Sequence, residues 1–551
     1  VNRRQFMQTA ATATISAGFI SSCARNEYDL IIRHGLVYDG SGREPVRQDL
    51  AIRQGVVVAM GDLRQRSAAR EIDANGLAVA PGFIDVHTHS DMTLLVNPKA
   101  ESKVRQGVTT EICGNCGDSP FPLDDVLSLE TITALRNEYQ MKISWRDFAG
   151  YRRLLEKRGC SINVATLIGH GSLRQAVMGS ENRAPTAGEL EKMKALVAEY
   201  MQQGALGLST GLEYIPGMFA QTDELIALSR VVARFNGVYA SHMRNEDVRV
   251  EEALAEALTI GRRSGARVQI SHLKASQKRN WHKTPLLLAA IEQARAQGDA
   301  VHADRYPYTA YATSLKMVFP AWSREGAFGD FVKRLQAEEE WRKIRPFVED
   351  KISALGSWDS ILITRLTGAA RQSWQGKTIA QLTGDQDPFE FVRRLMIDEQ
   401  GQVSMCGFGM SDQDTEAILA APYTMVGSDG DAVAPYGLLG KGTPHPRFYG
   451  TFPRYLGLYI REKKILSLAE GIRRVTAMAA EMFGLQKRGA IKIGYHADIV
   501  IFDAEKIIDQ ATYTQPHQYP AGIPYVVVNG MVVVDKGEHS GRLAGTFITK
   551  A

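Results

Sequence analysis

Two periodicities divide the chain. Toward both ends, short apolar runs alternate with turn-rich polar breaks, the pattern of β-strands. These runs cover 28–33, 50–52 and 56–60 near the start, and 497–502, 525–528 and 531–534 near the finish. Between them, short apolar runs alternate with amphipathic helical stretches, the rhythm of βα units and a parallel sheet. Eight such runs stand out: one ending at His87, then 109–112, 163–168, 205–208, 238–241, 268–271, 300–303 and 423–426. Eight is the number that closes a (β/α)8 TIM-like barrel. The last two lie too far apart for one crossover, which predicts an inserted subdomain over about 313–400 with a charged amphipathic helix near 331–353. The expected fold class is therefore α/β. A barrel over 81–485 carries a small β-sandwich built from both chain ends, 28–80 and 486–551.

Barrel chemistry sits at the C-terminal ends of the strands, and the polar residues there are few and of one kind. The first run ends in His87 and His89, which share a face because side chains alternate along a strand. The second ends in Cys113-Gly114-Asn115-Cys116, the fifth in His242, the sixth in His272 and the eighth in Asp429. Imidazole, thiolate and carboxylate converging on one rim predict a zinc site. Cys116, His242 and His272 would leave an open position for water or substrate. Asp429 can take a proton from that water and return it to a leaving amine. His87 and His89 would hold a second ion or an oxyanion.

Composition narrows the partners. The formal charge of +4 over 551 residues, with no long Lys/Arg run, argues against nucleic acid. Five cysteines are too few for a disulfide framework in a chain this long. At the N-terminus, Arg3-Arg4-Gln5-Phe6-Met7 precedes a weakly apolar stretch ending in Ile20-Ser21-Ser22-Cys23. That segment, 1–27, reads as a twin-arginine export signal with a lipobox. It predicts a periplasmic location and a membrane tether through lipid on Cys23.

The ordered set PGFIDVHTHSD, CGNCG, GHGSLR, STGLEYIPG, ASHMRNE, ISHLK, DRYPYTA, MVGSDG and HPRFYGTFPR resembles the N-acyl-D-amino-acid deacylases (D-aminoacylases) of the amidohydrolase superfamily. The resemblance spans nearly the whole mature chain. It implies a zinc-dependent amide hydrolase acting on small N-acyl-D-amino acids or related D-amino-acid dipeptides. It further implies Cys116, His242 and His272 as tight zinc ligands, and a looser second site at His87, His89 and Asp429. Asp429 would also be the general base. Substrate contacts are implied at Tyr214, Lys274, Tyr306, Met410 and Arg447. Two features depart from the family: Ala312 stands where members often carry a small hydroxyl, and the loop from Asp429 to Arg447 is longer and Gly-rich.

Other readings compete. Gly207-Leu208-Ser209-Thr210-Gly211 matches the serine-hydrolase pattern G-x-S-x-G, and Ser271-His272-Leu273-Lys274 matches S-x-x-K. Cys113 and Cys116 are spaced as a redox pair. A hydantoinase-like cyclic-amide hydrolase would share the barrel but usually has a lysine in place of Cys116. A non-catalytic solute-binding lipoprotein would be marked by loss of the ligands, and all of them are present.

Overall fold

The computed structural model describes residues 26–326 and 329–550. The expected export segment, with Arg3, Arg4 and Cys23, lies outside the described residues up to position 25. Among the described residues, no helix is long and apolar enough to cross a membrane.

All eight expected barrel strands are present: Phe83–Asp85, Val108–Cys113, Asn163–Thr166 continuing as Ile168–Gly169, Gly207–Gly211, Val238–His242, Arg267–Ile270, Val301–Arg305 and Thr424–Val426. Each pairs in parallel with the next. A parallel bridge from Thr88 to Gly430 joins the first to the eighth. The strand residues are almost all buried, as expected for a parallel sheet covered by helices. Ile84, Ile112, Leu206 and Val238 form one cluster with Met478, Met482 and Phe483 of the helix Ala477–Phe483.

The apolar run before His87 proves to be two strands. Ala78–Pro81 pairs antiparallel with Ile499–Phe502 in the terminal domain, and Phe83–Asp85 opens the barrel. Gly82 is the seam: a Cβ there would stand 2.2 Å from the Thr109 side chain, so the crossing needs glycine. Both chain ends build one nine-stranded sheet. It curls so that Leu30, Leu50 and Val57 from the start share a core with Ile499, Val527 and Val532 from the finish. This is the sandwich that the sequence predicts, with one correction. The last residues leave the sheet and return to the barrel, where the Gly545, Ile548 and Lys550 amides donate to the Cys160, Val164 and Gly204 carbonyls.

The insertion is somewhat longer than expected. It runs from the strand Ala310–Ser314 to the strand Ser404–Phe408, with Ile361–Arg365 completing a three-stranded antiparallel sheet. The charged helix is two helices, Asp330–Gln336 and Glu338–Leu355, whose apolar faces pack with Phe391 and Leu395 into a separate core.

Candidate metal centre and active site

Every rim residue singled out from the strand ends meets at one end of the barrel. Three of them sit in the left-handed backbone region without being glycine: Cys116 at φ +51°, His272 at +36° and Asp429 at +50°. Such conformations are strained and persist where surrounding structure holds them. Here the hold is visible. The Asp429 amide donates to the His87 carbonyl at 2.8 Å, and the His272 amide to Asp304 Oδ1 at 2.9 Å.

Two ligand clusters share Cys116. In the first, Cys116 Sγ lies 3.7 Å from His242 Nδ1 and 3.4 Å from His272 Nε2, and the two nitrogens are 3.1 Å apart. A tetrahedral zinc with bonds of about 2.3 Å to sulfur and about 2.0 Å to nitrogen separates its ligand atoms by about 3.3–3.6 Å. The triangle therefore fits one face of a zinc tetrahedron. In the second cluster, His87 Nε2 is 3.3 Å from Cys116 Sγ and 3.6 Å from Asp429 Oδ1, and His89 Nε2 is 3.0 Å from the same carboxylate oxygen. These four donor atoms lie within 4.8 Å of one another. Burial alone would raise the Cys116 thiol, but His87, His272 and His242 outweigh it and hold the group well below its ordinary value. That favours the thiolate a metal needs. Three residues away, burial pushes Cys113 well above its ordinary value. Cys113 and Cys116 are both free, so no disulfide joins them.

Carboxylates behind the histidines fix their rings, as is usual at metal sites. Asp304, at the end of the seventh strand, lies 3.3 Å from His87 Nδ1 and also accepts from the Gln269 amide. Glu246 stands 2.9 Å from His272 Nδ1. Lys274 Nζ donates to Glu246 at 2.7 Å and to the His272 carbonyl at 3.0 Å. Lys274 thus serves two places at once, lining the cavity while anchoring a ligand. Deeper still, Lys103 donates to Asp85 at 2.9 Å, Ser428 Oγ at 2.6 Å and the Gly430 carbonyl at 3.0 Å, and lies 3.1 Å from Glu111. These are strand-end residues flanking His87, Cys113 and Asp429.

A cavity of about 740 Å³ opens over the two clusters, lined by Tyr214, Lys274, Tyr306 and Arg447 as expected, and by Ala312 from the insertion. The long Gly-rich loop contributes Leu438, Leu439 and Lys441 to its wall. Tyr214 lies against His242, with ring centroids 4.8 Å apart. The Arg447 guanidinium stacks 4.6 Å above the Tyr306 ring, and its Nη1 stands 3.1 Å from Asp429 Oδ2. Its Nε, buried, makes no hydrogen bond. His445 Nδ1 accepts from the Arg447 amide and His445 Nε2 contacts the Ala310 carbonyl, each at 2.9 Å. That histidine ties the Gly-rich loop to the insertion. Met410 departs from expectation. It is not among the cavity-lining residues and sits behind Tyr306, its sulfur 3.1 Å from Arg305 Nη2 and 4.0 Å from the Tyr306 hydroxyl.

Ser209 is no nucleophile. Fully buried, it donates to the Gly114 carbonyl and accepts from the Gly117 amide at 3.0 Å, pinning the loop that carries Cys116. The second glycine of the G-x-S-x-G pattern serves the same loop, since a Cβ at Gly211 would stand 1.9 Å from the Cys116 carbonyl oxygen, while Gly207 allows close approach of Val238 on the next strand. The S-x-x-K match likewise dissolves, because its lysine is held by Glu246 and its second residue, His272, faces Cys116 and His242 in the candidate metal cluster.

A closed parallel barrel with a Cys/His/His triangle, an adjoining His/His/Asp cluster and a carboxylate within proton-transfer reach defines a metal-dependent hydrolase. The chain belongs to the amidohydrolase family, whose sequence profile matches residues 70–302 and 380–534. It is 35% identical over 520 residues to an N-acyl-D-glutamate deacylase from Alcaligenes xylosoxydans xylosoxydans, covering 94% of this chain and 96% of that protein. Among solved structures, it is similar to the N-acyl-D-glutamate deacylase of Bordetella bronchiseptica in complex with zinc and a phosphonate mimic of the tetrahedral intermediate. There the TM-score is 0.80, with 34% identity over 95% of this chain and 100% of that one. It is also similar to a D-aminoacylase described by one-metal activation and second-metal attenuation of a binuclear centre, with a TM-score of 0.78, 33% identity and the same coverage.

Proposed function

We propose that this protein is a zinc-dependent hydrolase that removes the acyl group from N-acyl-D-amino acids. The observation that carries it is the Cys116–His242–His272 triangle facing Asp429 and the unsatisfied edge of Arg447 across one cavity. Cys116, His242 and His272 would hold the tight ion; His87, His89 and Asp429, with Cys116 shared, would hold a weaker second one. When bound, zinc supplies Lewis-acid polarisation of the amide carbonyl and acidifies water.

The chain's own residues do the rest. Asp429 takes the proton from the attacking water at a carboxylate oxygen and delivers it to the departing amine nitrogen. Burial would raise its carboxyl, but Arg447 and the neighbouring histidines outweigh burial and hold it well below the usual carboxylate range. It therefore enters the reaction ionised. Arg447 lines the cavity with Nε and Nη1 free of hydrogen bonds, so its guanidinium is the group for the substrate's α-carboxylate, a bidentate match in type. The Tyr306 hydroxyl, engaged among the described residues only by a 4.0 Å contact to Met410, is available to donate to the amide oxygen as charge builds there. Asp429 cannot ligate a second ion and carry the proton at once, so filling the second site attenuates turnover. The preference for the D configuration rests on the similar deacylases.

A panel of N-acyl-D-amino acids, their L enantiomers and hydantoins tests the assignment. Release of amine from the D compounds alone is expected; ring opening of hydantoins in preference would favour a cyclic-amide hydrolase. We also propose, from Arg3-Arg4 and the Ile20–Cys23 lipobox, export to the periplasm and lipid tethering at Cys23. Retention of the protein in the cytoplasm when both arginines become lysine, and release from membranes on Cys23→Ala, are the expected results.

A further inference from the structure

Resting on the deacylase reading, the wall of the cavity beyond His242 carries information about which substrate enters. Three carboxylates stand there, Glu213, Glu246 and Asp247. Two are neutralised by lysines of their own. Glu246 is held by Lys274 at 2.7 Å, and Asp247 by Lys351 at 2.7 Å. Glu213 is different. Among the described residues, no lysine or arginine nitrogen comes within 4.0 Å of it. Its Oε1 accepts one long hydrogen bond, from the Glu246 amide at 3.3 Å. Its Oε2 stands 3.7 Å from His242 Nε2, too far for a hydrogen bond. That histidine nitrogen is buried and makes no hydrogen bond. On this side Arg324 directs Nη1 to Met317 Sδ at 2.8 Å, and its buried Nε makes no hydrogen bond.

The Glu213 side chain is about a quarter open to the cavity, 24%, at the start of the loop after the fourth barrel strand. A carboxylate side chain with one long hydrogen bond and an open side on the cavity is an acceptor waiting for a donor. A substrate that brings a cation to this spot gains a charge-assisted hydrogen bond. One that brings a second carboxylate meets like charge in a partly desolvated space.

We propose that Glu213 is a specificity-determining residue that receives a cationic group of the substrate, an alkylammonium or guanidinium. The cation can come from two places in a D-acyl compound: the side chain of the D-amino acid, as in N-acyl-D-lysine or N-acyl-D-arginine, or the free amine of an aminoacyl group, as in a dipeptide with a C-terminal D residue. Either sets this chain apart from the similar enzymes described by acidic substrates, because among the described residues the Glu213 carboxylate on this wall has no lysine or arginine within 4.0 Å. The α-carboxylate still goes to Arg447, so the substrate spans the cavity with opposite charges at opposite walls.

The test compares kcat/KM of the zinc-loaded protein and of its Glu213→Gln variant on four compounds. N-acetyl-D-norleucine is the uncharged reference and N-acetyl-D-lysine carries the cation on the side chain. Glycyl-D-norleucine carries it on the acyl side, and N-acetyl-D-glutamate carries an anion. One cationic compound is expected to exceed the norleucine reference by about ten- to a hundredfold, the worth of one charge-assisted hydrogen bond. The identity of that compound assigns the source. In Glu213→Gln, that ratio should fall to about one and the relative rate on the glutamate compound should rise. Ratios within one variant cancel any general effect of the substitution on His242. The proposal is overturned if neither cation outperforms norleucine, if the glutamate compound is best, or if the variant keeps the wild-type ratios. Failure to hydrolyse all four would overturn the deacylase reading, and this proposal with it.

Discussion

Replacing Lys103 by methionine removes the one cation that ties the strand ends beneath the metal centre. Its ammonium is fully buried, as are Asp85 and Glu111, and it contacts both carboxylates together with Ser428 and the Gly430 carbonyl. Methionine keeps most of the side-chain volume, so the loss is electrostatic rather than a cavity. Breaking a buried ion pair by deleting one partner costs about 3–5 kcal/mol, because the other charge is left uncompensated. Two carboxylates remain here, but they respond differently. Burial, opposed only in part by Lys103, already pushes Glu111 up to about 7. A carboxyl raised in the folded state contributes stability that is full below its unfolded value near 4.5 and is lost as pH climbs through about 7. Without Lys103 the Glu111 carboxyl rises further, and this loss becomes steeper and extends to higher pH. The penalty of Lys103→Met, read from urea unfolding midpoints, should therefore be about 3–5 kcal/mol at pH 8 and distinctly smaller at pH 6. A penalty below about 1 kcal/mol at pH 8, or one independent of pH, would refute the reasoning.

Other outcomes follow from the same geometry. Asp429→Asn should lower kcat by about 10²–10⁴-fold while zinc bound through Cys116, His242 and His272 stays near one equivalent, read by metal analysis beside steady-state rates. Arg447→Met should raise KM for N-acyl-D-amino acids by tenfold or more, with a much smaller effect on the corresponding amides that lack the α-carboxylate. Ser209→Ala should retain hydrolysis that a zinc chelator abolishes. An inactive Ser209→Ala protein with normal zinc would reopen the serine-hydrolase reading.

The barrel and the metal ligands were legible because their signals are local. Each ligand directly follows an apolar strand, and strand ends share one rim, so His87, Cys116, His242, His272 and Asp429 meet without knowledge of long-range pairing. The residues behind them were not legible for the opposite reason. Asp304 meets His87 across 217 positions, and Lys103 meets Ser428 across 325, so nothing near them in sequence marks either as buried. Glu213 and Glu246 follow barrel strands with no local mark of a role, and only the cavity places them. The family resemblance implies Met410 as a substrate contact, yet its position depends on how the insertion's last strand packs on Tyr306. Ser209 shows that a motif can be real and its usual meaning absent, since Ser209 and Gly211 hold the Cys116 loop and Gly207 lets the next strand approach. The split at Gly82 was hidden because one unbroken apolar run fed two sheets.

The most direct test of the account is the rate of N-acyl-D-amino-acid hydrolysis as zinc is added back to metal-free protein, with both enantiomers assayed and Cys116→Ser run alongside. The account predicts activity on the D enantiomer alone, rising to a plateau at about one equivalent, and neither tight zinc nor turnover in Cys116→Ser. Full activity without zinc, equal rates on the L enantiomer, or a Cys116→Ser protein that keeps both metal and rate would contradict it.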